Sequence, residues 1–205
     1  QDNPLHRDML YASQAVGLKF ILNVTLDSDK KISGAYAGHP EAAHLQGCEM
    51  IRGHARVAAV KADMVITSNG GYPLDQNIYQ AVKGIDTASR CVRPGGVIIM
   101  FASCADGHGG EGFYQWFIDA ASPLEVARRI SAMPRDKTRP DQWKAQILAR
   151  ILNHCTVIMV TRHGDPRLIR DMHMVHAFTY EEAQETARTI LDKEPDIVII
   201  PDGTG

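Results

Sequence analysis

Tyr79, Gln80 and Lys83 lie in the stretch TSNGGYPLDQNIYQAVKG, residues 67–84, where an apolar strand passes through two glycines into a helix. Gln80 and Lys83 are about one helical turn apart, so their side chains share one face. An amide forms directed hydrogen bonds and an ammonium supplies a point charge, so the pair can grip a carboxylate and a neighbouring hydroxyl. The spacing is compatible with a clamp for a hydroxy acid, although periodicity alone favours a solvated helix face.

The helix that carries this triplet also has a clean apolar stripe. Its members follow one another at steps of three and four and are Leu74, Ile78, Ala81, Ile85, Ala88 and Val92. Such a stripe indicates one buried face. With Asp75 as the N-cap, the sequence predicts a helix from about Asp75 to Cys91 and places the triplet in its second and third turns.

Two glycine-rich loops follow apolar strands in this part of the chain. They are SNGGYP, which contains Asn69, Gly70 and Gly71, and CADGHGGEG, which contains His108. Glycine lets a backbone approach a ligand closely, and ligands of open α/β sheets bind beyond the carboxyl ends of the strands. Each loop alone could be a tight turn, but together at one sheet edge they favour a ligand site. His108 could titrate there or contact a phosphate, although a lone histidine in a loop is more often structural or merely exposed.

The wider pattern predicts an α/β fold. Four apolar runs, ADMVITS, GGVIIMFAS, CTVIMVT and DIVII, alternate with helical segments, and Ser122 with Glu125 and Thr179 with Glu182 have capping-box spacing. Solid apolar strands alternating with helices indicate a mostly parallel, Rossmann-like sheet with helices on both faces. Before them come a helix at Pro4, a hairpin of KFILNVTLD and KISGAYAG joined by SDK, and a helix from about Pro40 to Val57. We place a domain boundary around residues 56 to 61.

Composition narrows the classes of function. The net charge of −2 offers no basic field for nucleic acid and no polybasic patch for membranes. The apolar runs are far shorter than the roughly 20 residues of a membrane helix, and we expect a cytoplasmic protein.

The four cysteines form no CxxC pair, which argues against a zinc knuckle or a disulfide framework. The nine histidines show no HxH or HExxH spacing, and DMHMVH places His173 and His176 one turn apart on a predicted helix without an obvious third ligand. We therefore predict no metal site within this chain.

The two long motifs, TSNGGYPLDQNIYQAVKG and GGVIIMFASCADGHGGEGFY, resemble the C-terminal half of the nickel-pincer lactate racemases and related 2-hydroxy-acid racemases and epimerases. GLKFILNVTLD, AGHPEAAH and IVIIPDG are similar to the same family, so the resemblance covers nearly the whole chain. It implies that residues 1–56 belong to a cofactor-carrying N-terminal domain and residues 61–191 form a C-terminal domain that closes over substrate. Residues 192–205 would be a strand that returns to the N-terminal domain.

The resemblance also implies a chemistry. Family members interconvert enantiomers by proton-coupled hydride transfer through a 2-keto acid, using a nickel pincer nucleotide held mainly by the N-terminal half, which also supplies the acid and base histidines. Carried over by motif, the substrate-binding residues of this half are Tyr79, Gln80, Lys83 and Trp143. Gln80 and Lys83 would hold the substrate at the catalytic centre. Tyr79 and Trp143 would shape the cleft and exclude water from it.

The glycine-loop residues Asn69, Gly70, Gly71 and His108 are then the candidates for contact with the cofactor. From the residues alone, Trp143 could wall a pocket, but the pattern favours a core residue. A second interpretation also stays open, in which the chain is a non-catalytic α/β module that binds a nucleotide or a small acid at the two glycine loops. The first interpretation predicts a 2-hydroxy acid and the missing N-terminal domain as partners, and a fragment that is inactive by itself.

Overall fold

A computed structural model describes residues 3–27 and 29–204 of the chain, and it divides them into two compact units, Gln1–Ala58 and Ala59–Gly205. The domain limits expected from the resemblance stay predictions. Ser28, in the predicted hairpin turn, lies outside the described residues.

The first unit is a hairpin with two helices. Helix α1 (Pro4–Ala15) begins where the side chain of Asn3 accepts a hydrogen bond from the Leu5 N–H, as its sequence predicts. Strands β1 (Ile21–Leu26) and β2 (Ile32–Gly38) pair antiparallel, and α2 (Pro40–Ala55) follows. These elements confirm the predicted helix, hairpin and helix.

The second unit is built on a five-stranded sheet. Its strands are β3 (Ala62–Ser68), β4 (Val92–Phe101), β5 (Thr156–Val160), β6 (Val175–Ala177) and β7 (Ile197–Ile200), in the spatial order β6-β5-β4-β3-β7. Every pairing in this sheet is parallel. The chain leaves β3 toward β4 and later returns to the opposite side of β3 as β7. The strand order therefore reverses at β3, and the carboxyl end of β3 is where ligands of such sheets bind.

Helices connect the strands. They are α3 (Ile78–Ser89), α4 (Glu111–Ile118), α5 (Pro123–Ser131), a short 3₁₀ helix (Arg135–Lys137), α6 (Gln142–Leu152), α7 (Pro166–Asp171) and α8 (Tyr180–Leu191). Ser122 and Thr179 accept hydrogen bonds from the backbone N–H groups of Glu125 and Glu182, which confirms both predicted helix starts.

Alternate residues of the strands face two separate cores. Val65, Ile98 and Met100 belong to a large cluster with α3 to α7. Met64, Val97 and Ile99 belong to a smaller one that includes Ala183 and Ala187 of α8. Because side chains alternate along a strand, this division shows helices on both faces of the sheet. It confirms the predicted α/β fold.

Two local predictions were wrong. Helix α3 begins at Ile78 rather than Asp75, because Asn77 is the N-cap and accepts a hydrogen bond from the Gln80 N–H. The segment DMHMVH is not helical, since α7 ends at Asp171, His173 has a positive φ of 60°, and His176 lies in β6. The imidazole Nε2 atoms of His173 and His176 lie within hydrogen-bond distance of separate backbone carbonyls, those of Ala120 and Thr161.

A charge cluster links the starts of three strands. The Asp63 carboxylate lies 3.0 Å from the Arg93 guanidinium and 2.8 Å from the Lys193 ammonium, and it accepts a hydrogen bond from the Asp196 N–H. Hydrogen bonding to Lys193 and Arg93 lowers the pKa of Asp63 from 3.8 to about 2. The ionised carboxylate therefore holds β3, β4 and the segment before β7 together.

We predict that Asp63→Asn lowers the unfolding temperature at neutral pH and that the gap to the unchanged protein narrows as the pH falls from about 4 to about 2. The folded-state pKa is depressed, so the stabilisation is present above the unfolded-state pKa and is lost as the folded carboxylate takes up its proton. Thermal unfolding of the full-length protein across this pH range measures the gap. Asp136→Asn, at an exposed ion pair with Lys137, should change little, and a pH-independent gap for Asp63→Asn would contradict the linkage.

Candidate functional site

The two glycine loops meet at the start of α3. The N–H groups of Cys104 and Asp106 donate to the carbonyls of Asp75 and Gln76, and Ser103 N–H donates to the Asp75 carboxylate. In the other direction, the N–H groups of Ile78 and Tyr79 donate to the carbonyls of Gly107 and His108. The loops after β3 and β4 thus form one hydrogen-bonded layer at the carboxyl edge of the sheet.

This layer uses the donors at the N-terminus of α3. A helix normally leaves its first four N–H groups without intrahelical partners, and these can bind a phosphate. Here Ile78 and Tyr79 donate to the second loop and Gln80 donates to the Asn77 side chain, while Ala81 forms the first bond of the helix itself, to the Asn77 carbonyl. The start of α3 is therefore fixed by protein groups, which argues against a phosphate held on its N-terminus.

Asn69 lies at the centre of the first loop and is fully buried. Its amide nitrogen donates to the carbonyls of Leu74 and Gln80, and its amide oxygen accepts from the Gly84 N–H at 2.9 Å. One side chain thus ties the loop to two turns of α3. These contacts give Asn69 a role in the fold, while its contact with a cofactor stays a prediction.

The other candidate cofactor contacts have different surroundings. Gly70 is exposed, and a Cβ there would lie 2.7 Å from the Asp202 carboxylate, whereas Gly71, with φ of +85°, has open space where a side chain would be. His108 is half-buried and stacks on Tyr114, with ring centroids 4.8 Å apart. Its Nδ1 accepts from the Gly110 N–H, and its Nε2 lies 3.4 Å from the Glu111 carboxylate. Gly70, Gly71 and His108 keep surface accessible to a ligand, and Asn69 does not.

Tyr79 and Trp143 come together from different helices. Their rings meet edge to face with centroids 6.5 Å apart, and Trp143 is 55% exposed. The Tyr79 hydroxyl donates to the Asp141 carboxylate at 3.0 Å. Burial, followed by that hydrogen bond, raises the pKa of Tyr79. Trp143 is therefore a partly open aromatic surface beside the predicted clamp rather than a core residue.

Gln80 and Lys83 lie next to this surface on α3. Lys83 is exposed, one helical turn beyond Tyr79. The side-chain oxygen of Gln80 is buried and has no hydrogen-bond partner among the described residues. A buried acceptor without a donor costs free energy, which a ligand hydroxyl or a water would recover. The triplet thus combines the accessible ammonium of Lys83 with the Gln80 amide oxygen, a hydrogen-bond acceptor without a donor among the described residues.

Sequence reasoning missed Lys144, the neighbour of Trp143. Only 3% of its surface is exposed, and its ammonium lies 4.9 Å from the Tyr79 ring centroid and 4.5 Å from that of Trp143. Burial, and secondarily the charge of Lys83, lowers the pKa of Lys144. The available signal was its position, since Lys144, Leu148 and Ile151 follow one another at steps of four and three on a buried stripe.

Across residues 3–27 and 29–204, no group of three or more His, Cys, Asp or Glu side chains could hold a metal ion. In the same described part of the chain, no helix has the length and apolar character needed to cross a bilayer.

The fold and the site together define a class, an α/β domain with lysines and aromatic rings clustered near the carboxyl edge of a parallel sheet. The model of the family described as "Lactate racemase C-terminal domain" matches residues 57–205. The chain belongs to this family.

Two curated relatives support this membership. The lactate racemase of Thermoanaerobacterium thermosaccharolyticum is 53% identical over 203 residues, and that of Lactiplantibacillus plantarum is 50% identical over 203 residues. Each match covers 99% of this chain and 48% of the relative. The chain thus spans about half the length of the curated relatives it matches.

Two solved structures are similar in fold to this chain. The lactate racemase apoprotein from T. thermosaccharolyticum superposes with a TM-score of 0.94 at 53% identity, covering 99% of this chain and 49% of that one. A protein from Thermotoga maritima, 14% identical, superposes with a TM-score of 0.60 over 98% of this chain and 53% of its own. The second likeness shows the fold alone.

We predict that Asn69→Ala destabilises the protein by about 3 kcal/mol, because it leaves a buried N–H and two carbonyls without their partner. Thermal unfolding of the full-length protein measures the loss. Asn153→Ala is a matched control, since it removes one hydrogen bond to the Ala149 carbonyl at the end of α6 and should cost about 1 kcal/mol. Similar small losses in both variants would contradict a central role for Asn69.

Proposed function

We propose that this chain is the substrate-holding half of a racemase that acts on lactate or a related 2-hydroxy acid. The observation that carries the proposal is the meeting of Tyr79 and Trp143 beside Lys83 and Gln80 in a member of the lactate racemase family. These residues come from α3 and α6, about 60 positions apart in the sequence, and the fold brings the two rings to 6.5 Å.

Each residue has a distinct task in this proposal. The exposed ammonium of Lys83 pairs with the substrate carboxylate, and the amide of Gln80 orients the oxygen atoms of the substrate. The hydroxyl of Tyr79 is already bonded to Asp141, so Tyr79 contributes its ring rather than a proton. With Trp143 it forms an apolar wall that limits water around the reacting carbon.

The reacting groups belong to the other half of the protein in this proposal. A nickel pincer nucleotide held there would supply a hydride acceptor and donor, and a 2-keto acid would form between the two transfers. Gly70, Gly71 and His108 are the residues of this chain that we expect to face it, because all three remain accessible. The task of this chain is to hold the carboxylate and the α-carbon still while the hydrogen leaves and returns.

Exposed apolar surface supports a partner domain. On β7, Ile197 is 42% exposed and Ile199 is 66% exposed. In the first unit, Leu22 and Ile32 of the hairpin are 64% and 68% exposed. A two-stranded hairpin needs further packing to be stable, and we propose that the N-terminal half of the full-length protein provides it. The return of residues 192–205 to that half belongs to the same proposal.

The alternative is a non-catalytic module that binds a nucleotide or a small acid, and its nucleotide form has less support. A nucleotide phosphate would be expected at the start of α3, where the N–H donors are already used.

The proposal predicts that the full-length protein, loaded with its cofactor, interconverts the enantiomers of lactate. Circular dichroism or chiral chromatography of the product mixture measures this directly. Absence of racemisation with lactate, malate and phenyllactate would contradict the proposed activity.

Lys83→Ala should raise KM by about tenfold to a hundredfold, because the carboxylate loses its charge partner. Steady-state kinetics with both enantiomers measure the change. Lys137→Ala, at an exposed lysine of the 3₁₀ helix, controls for the loss of one positive charge. Unchanged kinetics for Lys83→Ala would remove this residue from the site.

A further inference from the structure

Lys144 is buried without an anionic partner. No hydrogen bond or ion pair formed by its ammonium occurs among the residues that the structure describes, although its backbone N–H donates to the Asp141 carbonyl. The nearest carboxylate on its own segment, that of Asp141, accepts the hydroxyl of Tyr79 instead. A buried charge without a counterion is costly, and removing such a group commonly stabilises a protein.

The surroundings of Lys144 are suited to a cation that awaits an anion. Its ammonium is within about 6 Å of two ring centroids, which is the range of cation–π attraction. Those rings are Tyr79 and Trp143, the same two that wall the proposed substrate site. Lys83 acts on Lys144 electrostatically from α3, while Asp86 and Asp141 act in the opposite direction. Lys83 and Lys144 therefore repel each other, and neither Asp86 nor Asp141 forms an ion pair with Lys144 among the described residues.

We propose that Lys144 is a second substrate-binding cation, which together with Lys83 neutralises the carboxylate of the 2-hydroxy acid. This inference rests on the proposed function for the identity of the substrate. A carboxylate has two oxygen atoms and about four acceptor positions, so it can meet two ammonium groups at once. Lys83 supplies an accessible charge at the rim, and Lys144 supplies one at the aromatic floor, where low polarity strengthens the attraction.

The arrangement also explains why a lysine occupies an apolar stripe. A methionine at this position would fill similar space without a buried charge, and α6 would pack as well or better. The lysine is retained, in this proposal, because binding an anion repays the desolvation of its ammonium. Replacing Lys144 with methionine should then raise the stability of the protein and lower its affinity for substrate.

The test measures binding of racemic lactate and of racemic lactamide, its uncharged analogue, by titration calorimetry of the full-length, cofactor-loaded protein. Interconversion of the enantiomers of a racemate produces no net heat, so the signal reports binding. In Lys144→Met we expect the affinity for lactate to fall by about tenfold or more and the affinity for lactamide to stay unchanged. Lys144→Arg should keep most of the preference for lactate, and the exposed control Lys137→Met should keep all of it.

Three outcomes would overturn the inference. They are an unchanged affinity of Lys144→Met for lactate, an equal loss of affinity for lactate and lactamide, and a wild-type protein that does not bind lactate. A lower unfolding temperature for Lys144→Met with an intact preference for lactate would instead make Lys144 a structural cation. Binding of lactate without racemisation would contradict the proposed activity but leave the role of Lys144 standing.

Discussion

The candidate site depends on the hydrogen-bonded junction between the two glycine loops and the first turn of α3. Asn69 ties the first loop to Leu74, Gln80 and Gly84, and the second loop accepts the N–H groups of Ile78 and Tyr79. Because Gln80 is itself part of this junction through its carbonyl, the position of the clamp is set by backbone contacts. Close packing adds to this constraint, since a Cβ at Gly84 would lie 2.9 Å from the Ser68 carbonyl oxygen.

Sequence reasoning identified the layers of the fold because the relevant signals are local. Apolar strands such as ADMVITS, cap residues such as Ser122, and turn glycines act within a few residues of where they occur. It failed where two local signals competed. Asp75 and Asn77 are both good N-caps. The helix begins after Asn77 because the Asp75 carboxylate and carbonyl are hydrogen-bonded to the second loop instead. The short strand β6 was missed for a similar reason, because three residues carry little periodicity and its pairing with β5 is a tertiary contact.

The site was only half visible in the sequence. Tyr79, Gln80 and Lys83 share one helix, so their spacing predicted a common surface. Lys144 belongs to a different helix, and nothing in its local sequence relates it to Tyr79. Its candidacy as a site residue depends on its burial and on the two rings that contact its ammonium. The contact with Tyr79 forms only when α3 and α6 pack together. The role of Asn69 was hidden in the same way, because a glycine-loop asparagine predicts a ligand contact and a loop brace equally well.

The charged residues at the two ends of the sheet differ in whether they are paired. At one end of the sheet, Asp63 is surrounded by Arg93 and Lys193, so its charge is compensated and stabilises the strands. Near the start of α3, Lys83 is exposed and Lys144 is buried without a bonded anion among the described residues. A fold selected for stability alone would pair or replace a buried lysine as it pairs Asp63. The buried ammonium of Lys144 is therefore the feature from which we infer that this region binds an anionic ligand, and the aromatic rings beside it lower the local polarity around its charge.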